Sequence, residues 1–241
     1  MTDQDFYERT AEHVAVLLGP PWQVLGPALA SALDGLDPTA GPVVDVGAGS
    51  GLGTRVIARA MPGAEIIAVE PNRALRTALL AVVTADPDLQ SRVTVEPYDL
   101  LTAQLPSRLG AIVALNVLGH FPPAERRRVW QLAADRLAPE GVVVVDLFPP
   151  NRPEHVAASP LGEVAVGRHR YTGTARAEPA GEDAVTWEMS YLVTDDQDRV
   201  LVDFSARQHW HVLDRHHLAA EVSDAGLQLS EGPAGTYLIR R

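Results

Sequence analysis

Apolar positions along this chain fall into two textures. From Val43 to Asp146, short unbroken apolar runs alternate with stretches whose apolar positions recur at helical spacing. Val43–Val46, Ile66–Val69, Ala111–Leu115 and Val142–Val145 read as strands covered on both faces, as in a parallel sheet. Arg92–Glu96 alternates and adds another. Between them, Leu52, Val56, Ile57 and Ala60 mark a helix stopped by Met61-Pro62-Gly63. Leu75, Leu79, Leu80 and Val83 form the inward face of a second helix, with Pro71 in its first turn and its end near Thr84. Asp86-Pro87-Asp88 reads as a loop. Ala124–Leu137 is an amphipathic helix in which Arg126, Arg127 and Arg128 read as a solvated face, and Pro139-Glu140-Gly141 is a turn.

The ends of the chain differ from this core. Residues 3–18 carry Phe6, Val14, Leu17 and Leu18 in a helical pattern ended by Gly19-Pro20-Pro21, and a second helix is expected across Val24–Leu33. Both would cap a cleft at the carboxyl ends of the strands. Residues 149–160 read as a linker or mobile loop. Then Gly162–Arg168, His169–Glu178, Ala184–Thr194 and Val200–His211 alternate at period two, a meander of four antiparallel strands. A helix over Val212–Ala225, stopped at Gly226, and a hairpin of Leu227–Ser230 with Thr236–Ile239 complete the pattern.

The chemistry sits where the first strand turns into its helix. Asp45 precedes Gly47-Ala48-Gly49-Ser50-Gly51, and the next strand closes on Glu70. Glycines there let a ligand approach the backbone and can adopt positive φ. The helix N-terminus offers N–H groups to a carboxylate or phosphate. Glu70, one strand over, is placed to accept both hydroxyls of a ribose. The dinucleotide pattern GxGxxG fails: its sixth position is Leu52 counted from Gly47 and Thr54 counted from Gly49.

What remains, acid-x-G-x-G-x-G, resembles motif I of the class I S-adenosylmethionine-dependent methyltransferases. The resemblance implies an α/β fold: a Rossmann-like, seven-stranded, mostly parallel sheet with helices on both faces. To this it adds an N-terminal helical cap and an antiparallel β insertion after the fifth strand. The division expected is a cap (1–35), a core (36–148 plus 212–241) and an insertion (149–211) for substrate binding or dimerisation. S-adenosyl-L-methionine is the implied cofactor. Asp45, Gly47, Ala48, Gly49 and Gly51 would form its methionine end, with Glu70 and Pro71 at the ribose. Asp99 and Leu100 match the family's adenine-binding acid and the backbone N–H after it. Asn116-Val117-Leu118-Gly119-His120 is similar to the N-V-L-H-H sequence of small-molecule methyltransferases, with Gly119 replacing the first histidine. That places Asn116 by the cofactor or acceptor. The Asn/Asp-Pro-Pro-aromatic sequence of adenine- and amide-directed enzymes is missing here, since Pro149-Pro150-Asn151 follows a different strand. The second half resembles, in layout, N,N-dimethyltransferases of nucleotide-linked amino sugars.

Composition narrows the chemistry further. The chain has 241 residues and a net charge of −11, which counts against a nucleic-acid partner. All 20 basic residues are arginine, so Schiff-base lysine chemistry is excluded. Cysteine is absent, which removes thiol nucleophiles and cysteine-ligated zinc. The opening MTDQDFYERT has no apolar stretch and no run approaches membrane length, so a cytoplasmic protein with no membrane partner is expected. Methyl transfer is an in-line displacement in which the enzyme mainly orients and excludes water. His120 could act as general base on an acceptor, or cap or pack a helix. Tyr7 could fold over the cofactor or pack on the second helix. His169 and Tyr171 share a face that could line an acceptor pocket. His209 and His211 share a face of their strand, with Trp210 on the other; no third ligand accompanies them, so no metal is expected. His216 and His217 read as helix surface. The function expected is methyl transfer to N or O of a small-molecule acceptor, in specialised-metabolite biosynthesis, by a homodimer paired through the meander. The same cofactor could instead stabilise a cyclisation or decarboxylation, or the chain could be a non-catalytic partner subunit.

Overall fold

A computed structural model describes the backbone of residues 3–241 and the side chains from Phe6 onward; the first two residues of the expected cap lie outside it. Helices α1 (Asp3–Leu17) and α2 (Gly19–Leu33) lead into β1 (Val43–Val46), α3 (Leu52–Ala60), β2 (Ile66–Val69), α4 (Arg73–Thr84) and α5 (Pro87–Arg92). Strands β3 (Val93–Glu96) and β4 (Leu109–Ala114), helix α6 (Pro123–Arg136) and strand β5 (Leu137–Asp146) follow. Four long strands come next: β6 (Val156–Val166), β7 (His169–Pro179), β8 (Ala184–Thr194) and β9 (Val200–His211). Helix α7 (Arg215–Asp224), β10 (Gln228–Glu231) and β11 (Thr236–Arg240) close the chain.

Seven strands form one sheet in the order β10-β11-β5-β4-β1-β2-β3. The five from β1 to β5 pair in parallel, and β11 runs antiparallel to both of its neighbours. The connection reverses direction at β1 and β4, and a crevice opens there beyond the carboxyl ends of the strands. Side-chain alternation assigns the apolar runs to two faces. Val44, Ile67, Ile112 and Val143 join Trp130 of α6 and Leu218 of α7 on one side. Val43, Ile66, Ala111 and Val142 join Leu29 of α2, Ile57 of α3 and Leu79 of α4 on the other. Strands buried on both faces need no polar alternation, which is why these runs are continuous.

The second sheet, β6-β7-β8-β9, is an antiparallel meander. Two of its strands coincide with the expected ranges. The first begins earlier, at Val156, so residues 156–160 of the stretch expected as a linker belong to the strand beside β7. Other boundaries moved for local reasons. Pro20 and Pro21 do not separate two helices; they occupy the first turn of α2, where a missing N–H costs nothing. Pro71 lies outside α4, because Asn72 accepts from Leu75 N–H at 3.0 Å and caps the helix. Asp86 likewise caps a short helix at Pro87–Arg92 instead of a loop. The segment Pro139–Gly141 is an irregular part of β5. Asp214 caps α7, so that helix starts at Arg215 and Val212 and Leu213 are left as buried packing.

Two side-chain expectations are corrected. Leu80 is 45 % exposed; Leu75, Leu79 and Val83 are the buried positions of α4. Arg126 is not a solvated residue. It is 3 % exposed and meets Glu221 of α7 at 2.8 Å, while Glu221 also accepts from the Trp130 indole at 3.0 Å. The guanidinium further donates to Phe121 O at 3.0 Å, so α6, α7 and the loop after β4 share one charged junction. Among the described residues no single helix is long and apolar enough to cross a membrane.

Breaking a buried pair strands the surviving charge, at a cost of about 3–5 kcal/mol. Arg126→Ala is therefore expected to lower unfolding stability by about 3 kcal/mol in urea denaturation. Arg127→Ala, on the exposed side of the helix, is expected to change it by less than about 0.5 kcal/mol.

Candidate active site

The loop after β1 takes its shape from three glycines with positive φ: Gly47 (63°), Gly49 (58°) and Gly51 (89°). A Cβ on Gly47 would stand 2.8 Å from Val117 Cγ2, so the loop is both conformationally and sterically bound to glycine there. Gly49 N–H donates to Glu70 Oε2 at 2.8 Å, and Asn72 N–H donates to Glu70 Oε1 at 2.8 Å. The carboxylate thus ties the glycine loop to the start of α4. Burial raises its pKa, and these two N–H donors oppose the rise. Asp45 lies behind the loop, where it accepts from Thr54 Oγ1 at 2.6 Å and is 4 % exposed. Thr54, the residue that breaks the dinucleotide pattern, is what holds this acid in place.

Above the loop lies a cleft of about 780 Å³. Its floor is Gly47–Ser50, Glu70–Asn72, Asp99, Leu100 and Asn116. Asn116 has φ 56° at the end of β4, and its N–H donates to Asp146 Oδ1 at 2.7 Å. The roof comes from α1 and the antiparallel sheet, through Tyr7, Trp187, Tyr191, Gln208 and Trp210. The two sides meet at His120. Tyr7 Oη lies 3.1 Å from His120 Nε2, and Gln208 Nε2 donates to Tyr7 Oη at 3.3 Å. The Trp210 ring stands edge-on to His120 with centroids 4.9 Å apart. It occupies space that Gly119 leaves, since any Cβ at that position would overlap the indole.

Comparisons with known proteins bear on this arrangement. Residues 44–143 match a family model described as a methyltransferase domain. No curated protein matches the chain. Among solved structures it is similar to CalS10, an amino pentose methyltransferase from Micromonospora echinaspora. The TM-score is 0.69 at 20 % identity, over 92 % of this chain and 90 % of that one. It is similar to Streptomyces venezuelae DesVI, with TM-score 0.68, 19 % identity, and coverage of 100 % and 98 %. It is also similar to the sugar N-methyltransferase KedS8 from Streptoalloteichus sp ATCC 53650, with TM-score 0.63, 21 % identity, and coverage of 99 % and 92 %. At these identities the likeness establishes a shared fold.

Within the matched residues 44–143, Gly47, Ala48, Gly49, Glu70, Pro71, Asp99, Leu100 and Asn116 all line the cleft. Asp45 and Gly51 do not. Asp45 faces the base of α3, and Gly51 packs against Leu79 and Val82, so both shape the loop from behind. Asp99 caps its own turn: Oδ1 accepts from Leu101 and Thr102 N–H, and Oδ2 from Thr102 Oγ1. Tyr7 and His120 line the cleft together. Both expected cap helices reach the cleft: α1 packs on α4 and the antiparallel sheet, and α2 packs on α3 and the core while its Pro21 and Trp22 line the cleft.

The four strand residues expected at the acceptor lie elsewhere. On β9 the cleft face is Ala206, Gln208 and Trp210, so His209 and His211 point to the other side. There His211 lies 3.3 Å from Asp183, and burial lowers its pKa. Tyr171 has the right parity but pairs with Val193, beyond the cleft, where α1 covers it and Glu12 accepts its hydroxyl at 3.2 Å. His169 is exposed at the far end of β7. Asn72, Gln208 and Trp187 also line the cleft, as does Trp210. The strand alternation that put Trp210 opposite the histidines held the signal, but the direction of the cleft was needed to use it.

A pH test follows from Asp45. Burial raises its pKa from 3.8 to about 7, and burial also raises that of Asp146 to about 6. Between the ordinary aspartate value and these values the native state holds protons that the unfolded chain has released. Stability is therefore greatest at the acidic side of this window and falls as pH rises through it. Asp45→Asn keeps an oxygen for Thr54 and removes one titration. Its unfolding free energy is expected to decline less steeply than wild type between pH 4 and 7, measured by denaturant titration; an unchanged slope would refute the assignment.

Proposed function

We propose that this protein transfers a methyl group from S-adenosyl-L-methionine to a nitrogen or oxygen atom of a small-molecule acceptor in specialised-metabolite biosynthesis. The observation that carries this is one cleft holding two different halves. A Cβ-free loop and Glu70 form one, and the Tyr7–His120–Gln208 cluster forms the other. The residues suit such a cofactor. The positive-φ glycines leave room for its methionine end against the loop backbone. Glu70 has about four lone-pair sites and spends two on backbone N–H groups, which leaves acceptor capacity for ribose hydroxyls. An amino pentose methyltransferase and a sugar N-methyltransferase share this fold and support a small-molecule acceptor.

When bound, the cofactor supplies an electrophilic methyl group that needs no further activation. The protein's part is placement. Asn116, fixed by its N–H to Asp146, lies at the end of β4 between the two halves. His120 can take the proton that an acceptor amine or hydroxyl loses, and Tyr7 holds its imidazole at one nitrogen. Tyr7 from α1 and Gln208 from β9 bond to each other across the roof of the cleft.

Calorimetry with S-adenosylhomocysteine is expected to show binding, and Glu70→Ala to weaken it by about tenfold or more, the worth of charge-assisted hydrogen bonds. Labelled cofactor with amine acceptors is expected to yield methylated product. His120→Asn is expected to lower turnover by about 10²-fold while leaving S-adenosylhomocysteine affinity unchanged. Product formation without consumption of cofactor would overturn methyl transfer.

A further inference from the structure

Gln208 is a buried amide where the surface around it is apolar. It is 4 % exposed, and on the cleft face of β9 it stands between Ala206 and Trp210. Its cross-strand partner on β8 is Trp187. A leucine or methionine of similar size would pack there without desolvating an amide. Among the described residues the amide makes one side-chain hydrogen bond, from Nε2 to Tyr7 Oη at 3.3 Å.

The direction of that bond decides the next one. An amide nitrogen only donates, so the Tyr7 oxygen accepts from it. Tyr7 has one proton to give, and its oxygen lies 3.1 Å from His120 Nε2. Of these two partners only the imidazole nitrogen can receive it. A neutral imidazole whose Nε2 accepts carries its own proton on Nδ1. The Trp210 edge, two residues along β9, packs against the His120 ring and helps to hold its orientation. Both Tyr7 and His120 line the cleft.

We propose that Gln208 is a positioning residue: its amide turns the Tyr7 proton onto His120, which fixes His120 as the Nδ1–H tautomer with its lone pair at Nε2. Its use in the reaction rests on the methyl-transfer reading above. A proton leaving the acceptor then travels through Tyr7. The acceptor N–H or O–H bond breaks as a new O–H bond forms at Tyr7, and the former Tyr7 proton forms an N–H bond at His120 Nε2. The electron pair stays on the acceptor atom, Tyr7 ends neutral, and one positive charge is left on the imidazolium. A phenol oxygen has lone pairs for both Gln208 and the acceptor proton, so the bond to Gln208 does not block this path.

Nitrogen-15 NMR of the imidazoles in the full chain, in alkaline buffer, reads the tautomer directly, and His120→Asn identifies the His120 signals. Wild type is expected to show the Nδ1–H form. Gln208→Glu puts an acceptor in place of the donor, so Tyr7 donates to it and His120 is expected to change to the Nε2–H form. The Nε2–H form in wild type overturns the proposal whether or not Gln208→Glu folds, and the Nδ1–H form retained in Gln208→Glu overturns the role of Gln208. The path through Tyr7 is tested with labelled cofactor and a nucleotide-linked amino pentose as acceptor. Tyr7→Phe is expected to lower turnover about as much as His120→Asn, by about 10²-fold, and the double variant no further. Losses that multiply in the double variant overturn that path. Absence of transfer by wild type would count against the methyl-transfer reading alone, because the tautomer is read without cofactor or acceptor.

Discussion

The Glu70 carboxylate is the constraint from which the floor of the cleft is built. One oxygen holds Gly49 N–H and the other holds Asn72 N–H, so a single buried side chain fixes the loop after β1 and the entry to α4. Both are backbone donors that water would otherwise have to satisfy. Their alignment on one acid costs desolvation, which its raised pKa records. Asp45 performs the companion task from below, through Thr54. Two buried acids in contact with a glycine loop would be a poor arrangement for stability alone. They make sense as preorganisation of a surface that must meet a ligand without moving.

The roof is built on a different principle. Nothing covalent or sequential joins β9 to α1, yet Tyr7, His120 and Gln208 come from α1, the loop after β4 and β9, and meet within hydrogen-bond distance. Trp210 contributes by filling the space left at Gly119, a trade of one side chain for another across more than ninety positions of sequence. An enclosure assembled this way depends on the docking of α1 against the antiparallel sheet. His13 of α1 is buried there against Tyr171, Tyr191 and Phe204, so the helix is held mainly by ring packing.

The core sheet, its helices and the glycine loop were legible because their signals are local. A strand covered on both faces must be apolar throughout, a loop against a ligand must lack Cβ atoms, and an acid at the next strand end lies at a fixed distance along the chain. The same register brings Asp99 to the cleft, although it does not show the turn-capping bonds. The antiparallel meander was legible as strands for a similar reason: period two survives wherever one face is dry.

Parity, however, says only which residues share a face, never which face is inside. For β9 it grouped His209 with His211 and set Trp210 against them. Only the packing of the sheet over α1 and the loop after β4 decided that Trp210 and Gln208 face the cleft. For β7 the parity was right and the position along the strand was wrong, because α1 covers Tyr171. Three consecutive arginines read as a solvated face because Glu221, the partner of Arg126, lies ninety-five residues away and cannot be seen from the run. The sequence by itself determined the elements, the loop chemistry and the acid that serves it, since each rests on neighbours along the chain. The tertiary structure alone decided which side chains close the cleft, since that rests on how two sheets and one helix meet.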